Sequence, residues 1–378
     1  MIAVKEIRMV DLATQYQRIK TEVDAAIAEV LTSTQFIKGP QVKKFEDNLA
    51  KYLGAKHVIG CANGTDALQI AMMALDLQPG DEVITTSFTF LATVEVIALL
   101  KLKPVLVDVA PDTFTMDVAS LKKAVTPKTK AIVPVHLFGQ CADMEPIMEV
   151  AKRHNLYVIE DNAQAIGADY TYANGTKHKA GVIGHIGTTS FFPSKNLGCY
   201  GDGGAMFTND DALAERIRMV ANHGQSKQYV HDIVGVNSRL DTIQAAVLDV
   251  KLQYLDEYAE KRLVVANAYD TAFANIDGVT TPVRAKNSTH VFHQYTLQLD
   301  GMDRDIVRQK LQEKGVPSMI YYPIPVHKQK AYYNSMYTNE MFRSTNKLCE
   351  TVLSLPIHTE MDAEQQTYII ESVKQSLK

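Results

Sequence analysis

Short β-branched runs alternate with amphipathic stretches through the first half of this chain, and that rhythm limits its fold more than any other feature. The runs are His57–Cys61 (HVIGC), Glu82–Thr86 (EVITT), Pro104–Asp108 (PVLVD), Ala131–Val135 (AIVPV), Tyr157–Asp161 (YVIED), Thr188–Phe192 (TTSFF) and Ala205–Thr208 (AMFT). Helical patterns fill the intervals over Thr65–Leu75, Val94–Leu100, Val118–Val125 and Met144–His154. Strands separated by helices pair mostly in parallel, with the helices covering both faces of the sheet. In such sheets ligands bind beyond the carboxyl ends of the strands.

After the seventh run the pattern changes. Asp210–Asn222 and Asp241–Arg262 read as helices, and His290–Leu299 alternates as a strand with one exposed face. Asp303–Lys314 reads as a helix closed by Gly315, with Pro317 just beyond it. Met319–Tyr322 reads as another strand. The expected fold class is α/β, with a large domain over residues 1–250 and a smaller α+β domain over 251–378. A chain of 378 residues accommodates both.

Composition excludes several function classes. Lys and Arg number 39 against 43 Asp and Glu, a balance unlike that of a nucleic-acid coat. A hydrophobic share of 46% excludes wholesale disorder. No apolar run reaches the ~18–20 residues of a spanning helix, so no membrane partner is expected. The opening Met1-Ile-Ala-Val-Lys-Glu-Ile-Arg has charges breaking its apolar runs and lacks a leader's apolar core. Cys61, Cys141, Cys199 and Cys349 are scattered without CxxC, which predicts free thiols in a reducing cytoplasm. The histidines show no HExxH or Cys/His ladder, so no metal is expected.

Four strand ends carry candidate chemistry. In Ala62-Asn63-Gly64-Thr65-Asp66 a strand passes into a helix through glycine, and the helix N-terminus offers N–H groups to a phosphate. An Asn-Gly pair is equally a plain turn. Ala173-Asn174-Gly175-Thr176 repeats the tetrapeptide without the strand-to-helix context and reads as a hairpin turn. Glu160-Asp161-Asn162-Ala163-Gln164 closes a strand with Asp161 at its mouth, either as a functional carboxylate or as a cap. In Ser190-Phe-Phe-Pro-Ser-Lys195, a lysine sits between an apolar strand and a glycine-rich turn. Burial there would lower its pKa and make it a nucleophile. Phe88-Thr89-Phe90 ends the second strand, and its aromatics serve either the core or a planar ligand in a chain with no tryptophan.

GxxxxGK[ST] and GxGxxG are both absent around these sites, so neither a P-loop nor a dinucleotide fold is indicated. A lysine nucleophile, an aspartate, a phosphate-binding helix start and a flat aromatic together meet the needs of pyridoxal phosphate.

At these residues the chain resembles the sugar aminotransferases of the DegT/DnrJ/EryC/StrS family, which are fold-type-I, pyridoxal-phosphate-dependent enzymes. The resemblance runs through Phe36-Ile-Lys-Gly-Pro40, N-G-T-D-A-L at Asn63–Leu68, E-D-N-A-Q at Glu160–Gln164, F-F-P-S-K at Phe191–Lys195 and S-L-P-I-H at Ser354–His358. It implies Lys195 as the cofactor-binding lysine and Asp161 as the partner of the pyridine nitrogen. Gln164 would lie near the ring hydroxyl, Gly64, Thr65 and Ser190 around the phosphate, and Phe90 on the ring. Asn237, in V-N-S-R-L-D at Val236–Asp241, matches an asparagine that reaches the neighbouring subunit's cofactor. A homodimer with shared active sites is therefore implied. By the residues alone, Asn237 would equally cap the helix near Asp241.

Finer matches at Phe191–Ala205, His223–Gln225 and Val234–Ala246 resemble the branch that aminates UDP-2-acetamido-2-deoxy-3-oxo-glucuronate. There the arginine matching Arg239 pairs with the sugar carboxylate, and L-glutamate is the implied amino donor, with pyridoxamine phosphate as the intermediate cofactor form. Tyr321-Tyr322 departs from that branch, which carries histidine before tyrosine. A 3-oxo or 4-oxo neutral sugar is the alternative substrate. A non-catalytic regulator built on the same fold is another alternative, but no basic arm or DNA-binding appendage accompanies it. A sugar dehydratase would carry histidine in place of Lys195.

Overall fold

All seven apolar runs become strands of one sheet in the computed structural model, which describes residues 6–378. The first five residues of the opening stretch discussed above lie outside the described residues. The strands are β1 (His57–Cys61), β2 (Glu82–Thr86), β3 (Lys103–Val107), β4 (Thr129–Val133), β5 (Tyr157–Asp161), β6 (Ile186–Ser190) and β7 (Gly204–Thr208). Their order across the sheet is β1-β7-β6-β5-β4-β2-β3. Only β7 runs antiparallel to its neighbours; the remaining pairs are parallel. The run Ala131–Val135 ends as a strand at Val133 because Pro134 has no N–H for the ladder.

Helices cover both faces, as expected. They are α1 (Leu12–Ser33), α2 (Pro40–Leu53), α3 (Gly64–Ala74), α4 (Ala92–Leu99), α5 (Val118–Ala124), α6 (Met144–His154), α7 (Asp211–Ala221), α8 (Thr242–Leu252) and α9 (Leu255–Phe273). Side chains alternate across a strand, and the two cores divide by that period. Val83, Ala131, Val133 and Ile159 join α3, α4 and α7 in one core. Ile84, Ile132 and Val158 join α5 and α6 in the other.

The second half departs further from expectation. The stretch Asp241–Arg262 is two helices, because Tyr254 leaves helical geometry with φ −104° and ψ 1°. Only Tyr295–Leu299 of the expected strand His290–Leu299 joins a sheet, pairing antiparallel with Val279–Thr280 and Val352–Leu355. Met319–Tyr322 contributes a single bridge, Met319 to Ser354, and no strand. Helices α10 (Arg304–Glu313), α11 (Arg343–Thr351) and α12 (Ala363–Ser376) complete the chain. A further core gathers Tyr269, Phe273, Tyr295, Leu311 and Ile369, and Ile7 joins it.

The segment 290–294 is held by side chains where a ladder was expected. Arg262 of α9 is buried, and its Nη1 donates to the carbonyls of Phe292 (3.1 Å), His293 (3.4 Å) and Ile357 (2.9 Å). Burial lowers its pKa to about 10. Replacing it leaves those buried carbonyls without a donor, at ~1–3 kcal/mol each before relaxation. Arg262→Leu should therefore lower the unfolding free energy by about 3 kcal/mol. Urea denaturation measures this, and an unchanged midpoint would show that the guanidinium is not the staple.

Candidate active site

The carboxyl ends of β1, β2, β5 and β6 open into one cavity of about 650 Å³. At β1, Asn63 caps α3 by accepting from the Asp66 N–H at 2.8 Å. The N–H groups of Gly64 and Thr65 precede the first intrahelical bond, so the helix leaves them to an outside acceptor. A Cβ on Gly64 would lie 2.6 Å from the Cβ of Ser190. Only glycine lets the α3 start and the end of β6 meet there, forming a cradle lined by Gly64, Thr65 and Ser190. The second Asn-Gly copy is indeed a hairpin turn, between paired strands Asp169–Thr171 and Lys177–Lys179.

Asp161 ends β5, opposite Thr188 of β6, and is only 6% exposed. Its Oδ2 accepts from the Thr93 hydroxyl at 2.8 Å and its Oδ1 from the Ala163 N–H at 3.2 Å. Lys195 lies on the turn after β6, where its N–H bonds the Phe192 carbonyl at 2.8 Å. Burial pushes the Lys195 amine down to about 8, opposed by the charge of Asp161. The shift raises the neutral fraction of the amine near physiological pH far above that of an ordinary lysine, and the neutral form is the one a nucleophile or general base needs. Glu160 serves structure. It accepts from His136 Nε2 (2.8 Å) and from the N–H groups of Gly181 and Ile183 (2.9 and 2.6 Å), fixing the segment that leads into β6.

Gln164 accepts from the Phe138 N–H at 2.8 Å and donates to the Tyr322 hydroxyl at 3.1 Å. Phe90 is 59% exposed at the cavity wall, with its ring centroid 6.3 Å from that of Tyr322. Tyr321 lines the same wall, and burial raises both tyrosine pKa values. Thus Gly64, Thr65, Phe90, Asp161, Gln164, Ser190, Lys195, Tyr321 and Tyr322 converge on one cavity.

Asn237 and Arg239 do not. Asn237 is exposed and bridges Asn222, while Arg239 borders a second cavity of about 490 Å³. Asn237 is not the cap of α8; Asp241 occupies that position. Among the described residues Arg239 makes no ion pair.

Thr93 and His293 were not anticipated. The Thr93 signal was present, three residues beyond Phe90 and at the start of the next helix. His293 had none, because only the tertiary staple to Arg262 brings it to the cavity. His293 Nδ1 and Thr89 Oγ1 line the cavity, are buried and have no hydrogen-bond partner among the described residues. Burial, with Lys195 and Arg262 nearby, keeps His293 neutral. Unfilled polar atoms and an open phosphate cradle fit a bound polar, planar group.

The model of the DegT/DnrJ/EryC1/StrS aminotransferase family matches residues 17–374. The chain belongs to this family. A pleiotropic regulatory protein of Geobacillus stearothermophilus is 48% identical, over 97% of both chains. The UDP-2-acetamido-2-deoxy-3-oxo-D-glucuronate aminotransferase of Pseudomonas aeruginosa is also 48% identical, over 94% of this chain and 96% of that one. Among solved structures, S. venezuelae DesV in complex with a ketimine intermediate superposes with a TM-score of 0.93 at 38% identity, covering 98% of each chain. The chain is accordingly a fold-type-I nucleotide-sugar aminotransferase that depends on pyridoxal phosphate.

Two measurements probe the aminotransferase's cradle and amine. Gly64→Ala should weaken pyridoxal phosphate binding by about 100-fold, since the Cβ forces the cradle apart; equilibrium dialysis reads it. In the apoprotein, cofactor capture by Lys195 should accelerate as pH rises and level off above about 8. Below that value the amine is protonated and unreactive. A plateau reached only near the unperturbed lysine value of 10.5 would contradict the burial effect.

Proposed function

We propose that this aminotransferase moves the amino group of L-glutamate to the keto carbon of UDP-2-acetamido-2-deoxy-3-oxo-glucuronate, in surface polysaccharide synthesis. The observation that carries the reaction is the lowered-pKa amine of Lys195 sharing a cavity with the buried carboxylate of Asp161. Gly64, Thr65 and Ser190 would hold the cofactor phosphate, Phe90 its ring face, Asp161 its ring nitrogen and Gln164 its ring hydroxyl. When bound, pyridoxal phosphate supplies an electron sink that makes the donor's Cα–H acidic. Lys195 Nζ takes that Cα proton as a general base. In the second half-reaction it delivers a proton to the sugar carbon that receives the amino group. Glutamate leaves as 2-oxoglutarate and the keto sugar as an amino sugar. Tyr321 and Tyr322 present hydroxyls to the sugar.

The active unit in this reading is a homodimer. Asn237 and Arg239 lie outside their own chain's cavity, and beside them Tyr229 and Val234 are 84% and 83% exposed. A second copy would bring Asn237 to the phosphate and Arg239 to the uronate, whose carboxylate suits a guanidinium fork. Tyr321 supports a second reading, a neutral 3-oxo or 4-oxo sugar. The regulator reading has less support, because a regulator needs no lysine of lowered pKa beside Asp161. We place the reaction in the cytoplasm. Among the described residues the four cysteines are free and buried, and no helix is long and apolar enough to cross a membrane. The division into a cofactor-binding part, residues 1–250, and a smaller part, 251–378, belongs to the same proposal.

Lys195→Ala should abolish the visible absorption of lysine-bound cofactor and reduce turnover by more than about 1,000-fold. Retained turnover would remove the assignment. For the sugar, the pyridoxamine form should be mixed with 3-oxo and 4-oxo nucleotide sugars, with and without the carboxylate. Arg239→Ala should cost about 100-fold in kcat/KM for the uronate and little for neutral sugars. An undiminished uronate preference would favour the second reading.

A further inference from the structure

Thr93 is the second residue of α4 and is 1% exposed. A threonine so placed would ordinarily turn its hydroxyl back to a local carbonyl. The nearest is that of Phe90, at 3.5 Å, the outer limit of a hydrogen bond. The Asp161 Oδ2 lies at 2.8 Å. A hydroxyl has one proton, so the geometry sends it to the carboxylate.

We propose that Thr93 is a positioning residue that holds Asp161 as an oriented acceptor for the cofactor's ring nitrogen. This rests on the reading of Asp161 given above. A carboxylate has about four lone-pair sites. Thr93 takes one on Oδ2 and the Ala163 N–H one on Oδ1, so the plane is gripped from both sides and lone pairs remain for the ring. The short bond to Oδ2 fixes the carboxylate plane, so its free lone pairs stay aimed at the ring nitrogen. Thr93 thereby helps keep the proton on the ring nitrogen, where it sustains the electron sink. It also ties the aromatic wall at Phe90 to the carboxylate through one short turn.

Thr93→Val keeps the shape and removes the hydroxyl, while Thr93→Ser keeps the hydroxyl and removes the methyl. Both, with Asp161→Asn, should be compared as holoenzymes reconstituted with cofactor labelled with ¹⁵N in the ring. Thr93→Val should move the ring-nitrogen resonance toward that of neutral pyridine and weaken cofactor binding about ten-fold. It should lower kcat about ten-fold with the donor KM within about two-fold. Thr93→Ser should keep the wild-type resonance and lose no more than about three-fold in kcat. Equal losses in the Val and Ser variants, or a wild-type resonance in Thr93→Val while Asp161→Asn shifts it, would overturn the role of Thr93. A wild-type resonance in Asp161→Asn would overturn the reading of Asp161, and this proposal with it. If Thr93→Val fails to fold, Thr93→Ala against Thr93→Ser gives the same comparison.

Discussion

The pairing of β5 with β6 is the constraint on which the site depends. Its register sets Asp161 against Thr188 and leaves both strands pointing into the same cavity. The next residue continues the join, with the Asn162 N–H donating to the Thr188 carbonyl at 2.8 Å. From that common edge one strand delivers a carboxylate and the other, a few residues on, an amine. Shifting β5 by one residue would turn Asp161 away from the cavity, because strand side chains alternate faces. The parallel sheet therefore both builds the core and brings together two groups that are 34 residues apart by number.

Holding such groups in an apolar setting requires that nearby polar atoms be satisfied, since an unpaired buried group costs far more than a surface one. Glu160, next to Asp161, collects His136 and backbone donors, so two adjacent carboxylates have separate duties. Lys251 is buried and its amine is also lowered to about 8, but it donates to the Gly198 carbonyl at 2.6 Å and closes the turn after Lys195. Burial alone thus does not single out a reactive lysine. The difference is that the Lys195 side chain faces the cavity, while that of Lys251 is committed to a carbonyl.

The opposite side of the cavity depends on contacts distant in sequence. Asn196, beside Lys195, donates to the Val291 carbonyl at 2.9 Å, and Arg262 holds the next two carbonyls. These bonds bring His293 to the wall. They also explain why the alternation before Tyr295 did not yield a strand: the carbonyls of Val291, Phe292 and His293 are taken by side chains.

Alternation of apolar runs with helices, read from the sequence by itself, determined the seven strands, the two-sided covering and the strand ends where chemistry would sit. The motif residues from Asn63 to Lys195 were legible for the same reason, since each lies at a strand end and strand ends follow from local pattern. The break at Tyr254, the loss of the strand over Met319–Tyr322 and the helices α1 and α2 were not foreseen, because packing partners decide such segments more than local preference does. Only the tertiary structure decided which polar atom faces which. Thr93 could reach Asp161, 68 residues away, only once α4 and β5 lay side by side. The same limit separates Asn237 and Arg239 from the cavity of their own chain: sequence shows that they are present, but three-dimensional packing decides which cavity they border.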